Sequence, residues 1–537
     1  MEHWIEPQTD LNSPLPGWWP PPITILLIFY VFGGMKMTVF KRLKVGFLAL
    51  FMMGTSALCQ PLLFKVSADE NPPEPPPPEF RVLRIYPKAA PSPALLYRLD
   101  PEIRHQEPGN SVQSYYRAFS PEWQSFKTRD KDYWKKEEEW LKLPLEKLPP
   151  EADMRKSSYL KQIELGTNKS YTDWDMVSGL KRDAIFFLLP DIQGMRNFAR
   201  DLTLKARFEL KEKEYGQAVK TMRTTVTLGR HVANGPTLIQ SLVGIAIISI
   251  GFKQIEEGIQ QKEFPNLYWA LAKLQQGPID LNSAMDGERL FIESLLPGLR
   301  DQLYSKNPIP VGQPELQSML DRFRTAMNAE KPVASSNMEK IMEKAATSVM
   351  LAVGLPSAKA KLLAFGLESK ILENLPPLQV VLMAEVLIYD ENFDSVSKWI
   401  HSPYWVAKPE MEKTLIKSGV APPPKGTPIS PLPIGFLSRF LQPAIIKVMQ
   451  AKVRQQRNLA QLMVVEAIRM HAAQTGKLPQ SLDQVKVVPV PANPVTGKPF
   501  GYSLVGNHAM LESEPIHDSD AKELRRWRLE LATPEPK

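Results

Sequence analysis

The chain has 537 residues, among them 51 Pro and 28 Gly, with 43% hydrophobic and 23% charged residues. Proline stands at about double its usual share while glycine is ordinary, which excludes a collagen-type or Gly-Pro low-complexity chain, and the apolar fraction excludes full-length disorder. The net charge of +8 comes from 66 basic and 58 acidic residues spread along the chain; clusters such as Lys135-Lys136 and Arg525-Arg526 lie near Glu and read as solvated faces, so no nucleic-acid partner is expected.

Two apolar stretches open the chain, Ile23 to Phe32 and Val45 to Leu58. Both are shorter than the ~20 residues that span a bilayer as a helix. The second has the order of a secretory signal. Lys36, Lys41, Arg42 and Lys44 form a basic region, Phe47 to Met53 starts the apolar region, and Val66-Ser67-Ala68 places small residues before Asp69. Residues 37–68 are therefore expected to be a signal peptide or membrane anchor, with 45–64 as the anchoring stretch. Residues 1–36 read as an upstream extension or a first hydrophobic segment, with Met1, Met35 and Met37 as alternative starts. This predicts export, to the periplasm or medium, with membrane contact only through the N-terminal segment. Cys59 is the one cysteine; disulfides, Cys-type zinc sites and thiol catalysis are excluded elsewhere.

Residues 69–93 contain NPPEPPPPEF and read as a Pro-rich polyproline II spacer. Residues 94–420 read as an α-helical domain. Helical spacing marks 112–119, 132–143, 195–211, 217–231 and 237–259, with breaks at Glu214-Tyr215-Gly216 and Asn234-Gly235-Pro236. Helix, short turn, helix is the pattern of stacked α-hairpins. Tyr215 and Ala218 are similar to a tetratricopeptide helix opening, but no 34-residue period is sustained. Leu242 to Phe252 is apolar, yet Lys253, Glu256 and Glu257 follow it, so a buried central helix is expected rather than a membrane span. Further helices are expected at 281–296, 314–327, 337–353, 357–371 and 379–389. Residues 421–440 hold a second Pro-rich run and read as a linker. Residues 441–537 read as a C-terminal unit: one helix over 444–475, stopped by Gly476 and Pro479, then strands around the Gly506-Asn507 turn and a third at Trp527, Leu529 and Leu531. The expected fold is mainly α, of irregular stacked helical hairpins, plus a long helix packed on a three-stranded antiparallel sheet.

Signatures of chemistry are few. The chain has no G-x-S-x-G, no G-x-x-x-x-G-K-[ST], no G-x-G-x-x-G and no two His at metal-binding helical spacing. No cofactor or metal site is expected; His517 with Asp518 and Asp520 reads as a solvated loop. Glu466 and Arg469 at i, i+3 read as a structural ion pair. Acid pairs such as Asp390 with Asp394, or Glu385 one turn before Tyr389, arise by chance among 58 carboxylates. The most distinctive groups are Tyr268-Trp269 and Tyr404-Trp405, shortly after Pro265 and Pro403. Such rings either anchor helix packing or form a platform for a sugar or peptide.

Several phrases resemble an uncharacterised family of secreted proteins of planctomycete-type bacteria. They are Ala94 to Leu99 with Pro108-Gly109-Asn110; Pro265 to Leu271 with Asp280-Leu281; Leu378 to Leu382 with Lys398-Trp399 and Pro403-Tyr404-Trp405; Glu466 to Arg469; Gly476 to Leu482; and Pro491 to Tyr502. Such relatives more often carry Asp where this chain has Asn493. The resemblance implies secretion and brings no activity with it. The long helix followed by P-x-[DN]-P-x-T-G-K-P-x-x-Y is also similar in local architecture to the globular end of type II pseudopilins. The expected function is an exported, non-catalytic α-helical binding or scaffold protein of the cell envelope, with other envelope proteins or glycans as partners. The alternative is a helical-cleft hydrolase acting on a glycan or peptide through paired carboxylates. Tyr268, Trp269, Tyr404 and Trp405 are the candidate binding residues.

Overall fold

A computed structural model describes residues 80–119, 133–183, 190–276, 279–327, 337–418, 434–516 and 525–532. The expected signal segment, the polyproline run 71–79, residues 421–433 of the expected linker and the loop at His517 lie outside the described residues.

The first element is strand β1 (Phe80–Ile85). Strand β2 (Glu107–Asn110) then leads into helix α1 (Ser111–Ala118), whose first turn is capped by the Asn110 side chain accepting from the Val112 amide at 3.1 Å. Helices α2 (Tyr133–Trp140) and α3 (Ser158–Thr167) follow, then strand β3 (Lys169–Tyr171), which pairs in parallel with β2, and helix α4 (Val177–Asp183).

The centre is a three-helix stack of α5 (Pro190–Lys211), α6 (Tyr215–Ala233) and α7 (Leu238–Ile259). The second break falls at 234–237, where the sequence places it; the first is at 212–214, so that Tyr215 and Gly216, read as part of the break, instead open α6. Helix α7 is long and apolar enough to cross a membrane by composition. It is instead the helix with the most extensive neighbours, packed on α5 and α6 and on two helices introduced below. Its apolarity all round is what a fully surrounded helix requires. Thr237 caps its start, its hydroxyl accepting from the Gln240 amide at 3.1 Å.

Beyond it run α8 (Tyr268–Gln276), α9 (Asn282–Leu295), α10 (Leu299–Tyr304), α11 (Gln313–Met327), α12 (Asn337–Phe365), α13 (Ser369–Asn374), α14 (Pro377–Ser397) and α15 (Tyr404–Lys417). Helix α12 is continuous through Pro356, where the sequence pattern suggested a break between two helices. The long helix α16 (Phe436–Thr475) ends at Gly476, which adopts the left-handed conformation (φ 71°). It packs on α7, α8 and α14. The described parts of Asn71–Met319 and Lys344–Lys537 thus belong to one compact unit.

The terminal sheet differs from expectation. Strands β4 (Gly501–Val505), β5 (His508–Ser513) and β6 (Arg525–Leu531) form the antiparallel ladder the period-two pattern indicates. A fourth strand completes it: β1 pairs in parallel with β6, Phe80 opposite Arg526 through Ile85 opposite Leu531, giving the order β1-β6-β5-β4. The sheet is therefore mixed and four-stranded, and part of the expected spacer is core. The reason lies in the alternation of FRVLRI. Leu83 and Ile85 turn inward while Val82 and Arg84 face out, matching Trp527 and Leu529 of β6 and Ala509 and Leu511 of β5. Polar pins hold the sheet to the helices. Arg81 pairs with Glu256 of α7 at 2.5 Å, and Arg525 donates to Asn458 of α16 at 2.7 Å.

Candidate functional site

Helices α6, α7, α8, α15 and α16, with the 398–403 turn, enclose a half-open cavity of ≈ 460 Å³. Its apolar wall includes Val226, Ile248, Phe252 and Leu459. Trp399, Tyr404 and Trp405 supply the aromatic wall, and Arg230, Lys452, Gln455 and Gln456 the polar one. Among the described residues no Asp or Glu lines it.

The aromatic side is built by local sequence. Pro403 cannot continue a helix from its own N–H and stands at the N-cap, so Tyr404 and Trp405 open α15. Tyr404 is buried, 7% exposed, while Trp405 is 43% exposed. The Trp405 ring lies against Gly497, whose φ is +71°; a Cβ there would stand 2.7 Å from the ring. This fixes a meaning for the Pro491 to Tyr502 phrase. Asn493 is fully buried, its Oδ1 accepts from the Val495 amide at 2.9 Å, and the Gly497 amide donates to the Asn493 carbonyl at 2.8 Å. The result is a side-chain-closed turn that presents Gly497 to Trp405 and Pro494 to the cavity. An amide is sufficient for that turn, so Asn493 serves the fold.

The polar side comes from two helices. Arg230 stands near the end of α6. On α16, Met449, Lys452, Val453 and Gln456 recur at i, i+3, i+4 and i+7, one helical stripe. Neither Arg230 nor Lys452 has an ion-pair partner among the described residues. Burial pulls the Lys452 ammonium below the usual lysine range, opposed by the Asp280 carboxylate at longer range. Gln455 is 6% exposed, and its Oε1 has no hydrogen-bond partner among the described residues.

The structure separates the four sequence-selected aromatics. Tyr404 and Trp405 line the cavity; Tyr268 and Trp269 do not. Tyr268 is 3% exposed and its hydroxyl donates to the Pro489 carbonyl, while Trp269 packs edge-on against it, ring centroids 5.2 Å apart. Their phrase is a packing device: Asn266 caps α8 by accepting from the Tyr268 amide at 3.0 Å. Sequence reasoning missed Arg230, Lys452, Gln455 and, as a site residue, Trp399. The available signal was the α16 stripe, in which a lysine and glutamines interrupt otherwise apolar positions.

The carboxylates are engaged elsewhere. Glu385 accepts from the Gly435 and Leu437 amides at the start of α16, at 2.5 and 3.2 Å. Asp390 takes two bonds from Arg300, the shorter 2.7 Å, and one from the Tyr304 hydroxyl at 3.0 Å. Asp394 pairs with Arg289. Glu466 and Arg469 are wholly buried and paired at 2.8 Å. Among the described residues no group of three or more His, Cys, Asp or Glu is placed to hold a metal ion.

Comparisons with family models, with curated proteins and with solved structures return no match. The functional argument therefore rests on the residues themselves.

Proposed function

We propose that the protein is an exported, non-catalytic α-helical binding protein of the cell envelope, and that the α15–α16 cavity is its binding site. One observation carries the binding half: a half-open, aromatic-walled cavity of ≈ 460 Å³ whose lining holds cations and amides but no carboxylate among the described residues. That volume falls in the range of small-molecule sites, which run from about 300 to 1,000 Å³. General acid–base hydrolysis needs two carboxyl groups of different environment in one cleft. Here the acids singled out in the sequence cap a helix or pair with arginines, which favours binding over hydrolysis at this cavity. Export rests on the order of residues 37–68 and on the likeness to secreted planctomycete-type proteins. Cleavage before Asp69 would leave β1 whole, which makes secretion compatible with the fold.

The test has two arms. A reporter fused after Asp69 is expected in the periplasm or medium; cytoplasmic retention overturns export. The purified chain is expected to show saturable ligand-induced thermal shifts in a screen of envelope glycans, peptides and small metabolites without cleaving any of them. Turnover of one of them overturns the non-catalytic reading.

A further inference from the structure

The lining of the cavity specifies more than the existence of a ligand. Arg230 and Lys452 bring two positive charges to one small cavity from two different helices, and neither is neutralised by an ion pair among the described residues. A cation removed from water with no partner is costly, and a fixed anion between such groups recovers the lost solvation. The remaining wall asks for something different. Val226, Ile248, Phe252, Leu459, Trp399 and Trp405 offer apolar and ring surface, on which a flat body stacks better than a hydrated sugar free of apolar faces.

We propose that the cavity binds a small organic anion with a flat apolar body. The anionic group lies with Arg230 and Lys452, and the ring system against Trp399 and Trp405. This rests on the proposed function, since it names the ligand class of the same site. A lining without carboxylates serves selectivity as well, because nothing in it repels the anion. The half-buried Lys452, held below its usual proton affinity, would regain it when the anion binds.

The test uses two probes that differ by one charged group, titrated into the purified protein. One is 8-anilinonaphthalene-1-sulfonate, a naphthalene with an N–H donor and a sulfonate. The other is N-phenyl-1-naphthylamine, the same rings and donor without the sulfonate. The sulfonated probe is expected to bind one per chain, at least tenfold tighter than the neutral one. It should accept energy from tryptophan, and Trp399→Phe with Trp405→Phe should abolish that transfer. The Arg230→Gln, Lys452→Gln double variant is expected to weaken the sulfonated probe at least tenfold and the neutral probe less than twofold. Both side chains lack ion pairs, so the variant is expected to fold, verified by its melting temperature. If it does not fold, Lys452→Gln alone is expected to weaken the sulfonated probe threefold or more. Equal affinity for the two probes, or insensitivity of the sulfonated one to either variant, overturns the anion assignment and leaves a binding cavity. Binding of neither probe, or binding at many sites without transfer from Trp399 and Trp405, overturns the binding reading itself. Displacement by dodecanoate but not by 2-naphthoate would make the occupant an acyl chain and overturn the flat-ring assignment.

Discussion

Arg469 donates to four acceptors in the core of the molecule. Its guanidinium reaches Glu466 at 2.8 Å, the Tyr86 carbonyl at 3.0 Å, the Phe264 carbonyl at 2.9 Å and the Pro265 carbonyl at 3.4 Å. Glu466 in turn accepts from the Leu267 amide at 3.2 Å, and the Lys88 amide donates to the Arg469 carbonyl at 3.1 Å. Burial raises the Glu466 carboxyl above its usual range, and the Arg469 charge opposes that shift. The pair thus ties three chain segments at one point. Arg469→Met leaves a buried carboxylate and several carbonyls unpaired, and is expected to cost about 3–5 kcal/mol in urea unfolding. Replacing both partners, Glu466→Leu with Arg469→Met, should cost less than the sum of the single changes, read from a double-mutant cycle. Two other buried groups set the pH response with opposite signs. Burial, reinforced by the Arg230 charge, pushes His231 down to about 4, and its ring nitrogen Nδ1 shares a hydrogen bond with the Tyr115 hydroxyl at 2.6 Å. The unfolded chain takes up that proton first on acidification, so its contribution is present above about 6.5 and is lost as pH falls toward 4. Burial pushes Glu288 up to about 8, while its Oε1 accepts from the Leu238 amide at 3.1 Å. Its folded form keeps a proton that the unfolded chain has released above about 4.5. Stability therefore falls as pH rises from there through 8. Over pH 4.5–6.5 the two slopes offset each other. Glu288→Gln is expected to leave a stability that rises with pH in this window, and His231→Gln one that falls; urea midpoints at pH 4.5, 5.5 and 6.5 measure both. Parallel profiles for the two variants would refute the assignment.

At the scale of elements, the α6–α7 hairpin shows what packing adds to periodicity. Gly244 of α7 faces Gly229 and Ala233 of α6, and a Cβ at Gly244 would overlap the Gly229 carbonyl and the Ala233 amide. Backbone cannot step aside as a side chain can, so the helices must separate to admit a methyl group. Gly244→Ala raises intrinsic helix propensity by about 1 kcal/mol yet is expected to destabilise the protein by about 2 kcal/mol or more. A rise in melting temperature would show that the hairpin is looser than described. The same contrast explains what could be read in the sequence. Helices such as α5, α6, α7, α14 and α16 carry long stripes of apolar residues and explicit stops, Asn234-Gly235-Pro236 or Gly476, and their presence was legible. Short helices such as α10 and α13, six residues each, have too few turns to show a period. Strand β1 was hidden because its six residues follow a proline run and its partner lies at the other end of the chain. Of the site, the Tyr404-Trp405 pair was legible from its chemistry. Arg230, Lys452 and Gln455 were not, because a polar residue on an apolar stripe means nothing until the facing helix leaves it unpartnered. Other phrases singled out in the sequence behave in the same way: Asn110 caps α1, Gln379 pins the 309–311 loop through the Ile309 carbonyl and Val311 amide, and Tyr502 reaches the Pro479 carbonyl. Most of them hold the fold, and only the Trp399 to Trp405 phrase and Pro494 reach the cavity.

At the scale of the molecule, the helical body lies between two strands that pair with each other, β1 and β6. Parallel pairing needs a long crossover, usually one helix. Between β1 and β6 the crossover is the whole helical body. Arg469 then fastens the exit of β1 at Tyr86 and Lys88, and the Ala532 amide donates to the Ile85 carbonyl at 2.9 Å. A strand that only trailed from a spacer would contribute little, whereas a strand that seals the sheet and the α7 and α16 contacts should be part of the cooperative unit. The two readings differ in what a charge does on each face. Leu83 and Ile85 are in the core, while Val82 on the same strand is exposed. Leu83→Asp with Ile85→Asp buries two unpaired carboxylates and is expected to cost more than about 4 kcal/mol, lowering the thermal midpoint of the entire helical signal in circular dichroism. Val82→Asp should stay within about 0.5 kcal/mol of the wild type. If the core-facing pair instead melts the sheet alone and leaves the helical transition in place, β1 and β6 do not lock the body, and the molecule is a helical unit with a detachable sheet.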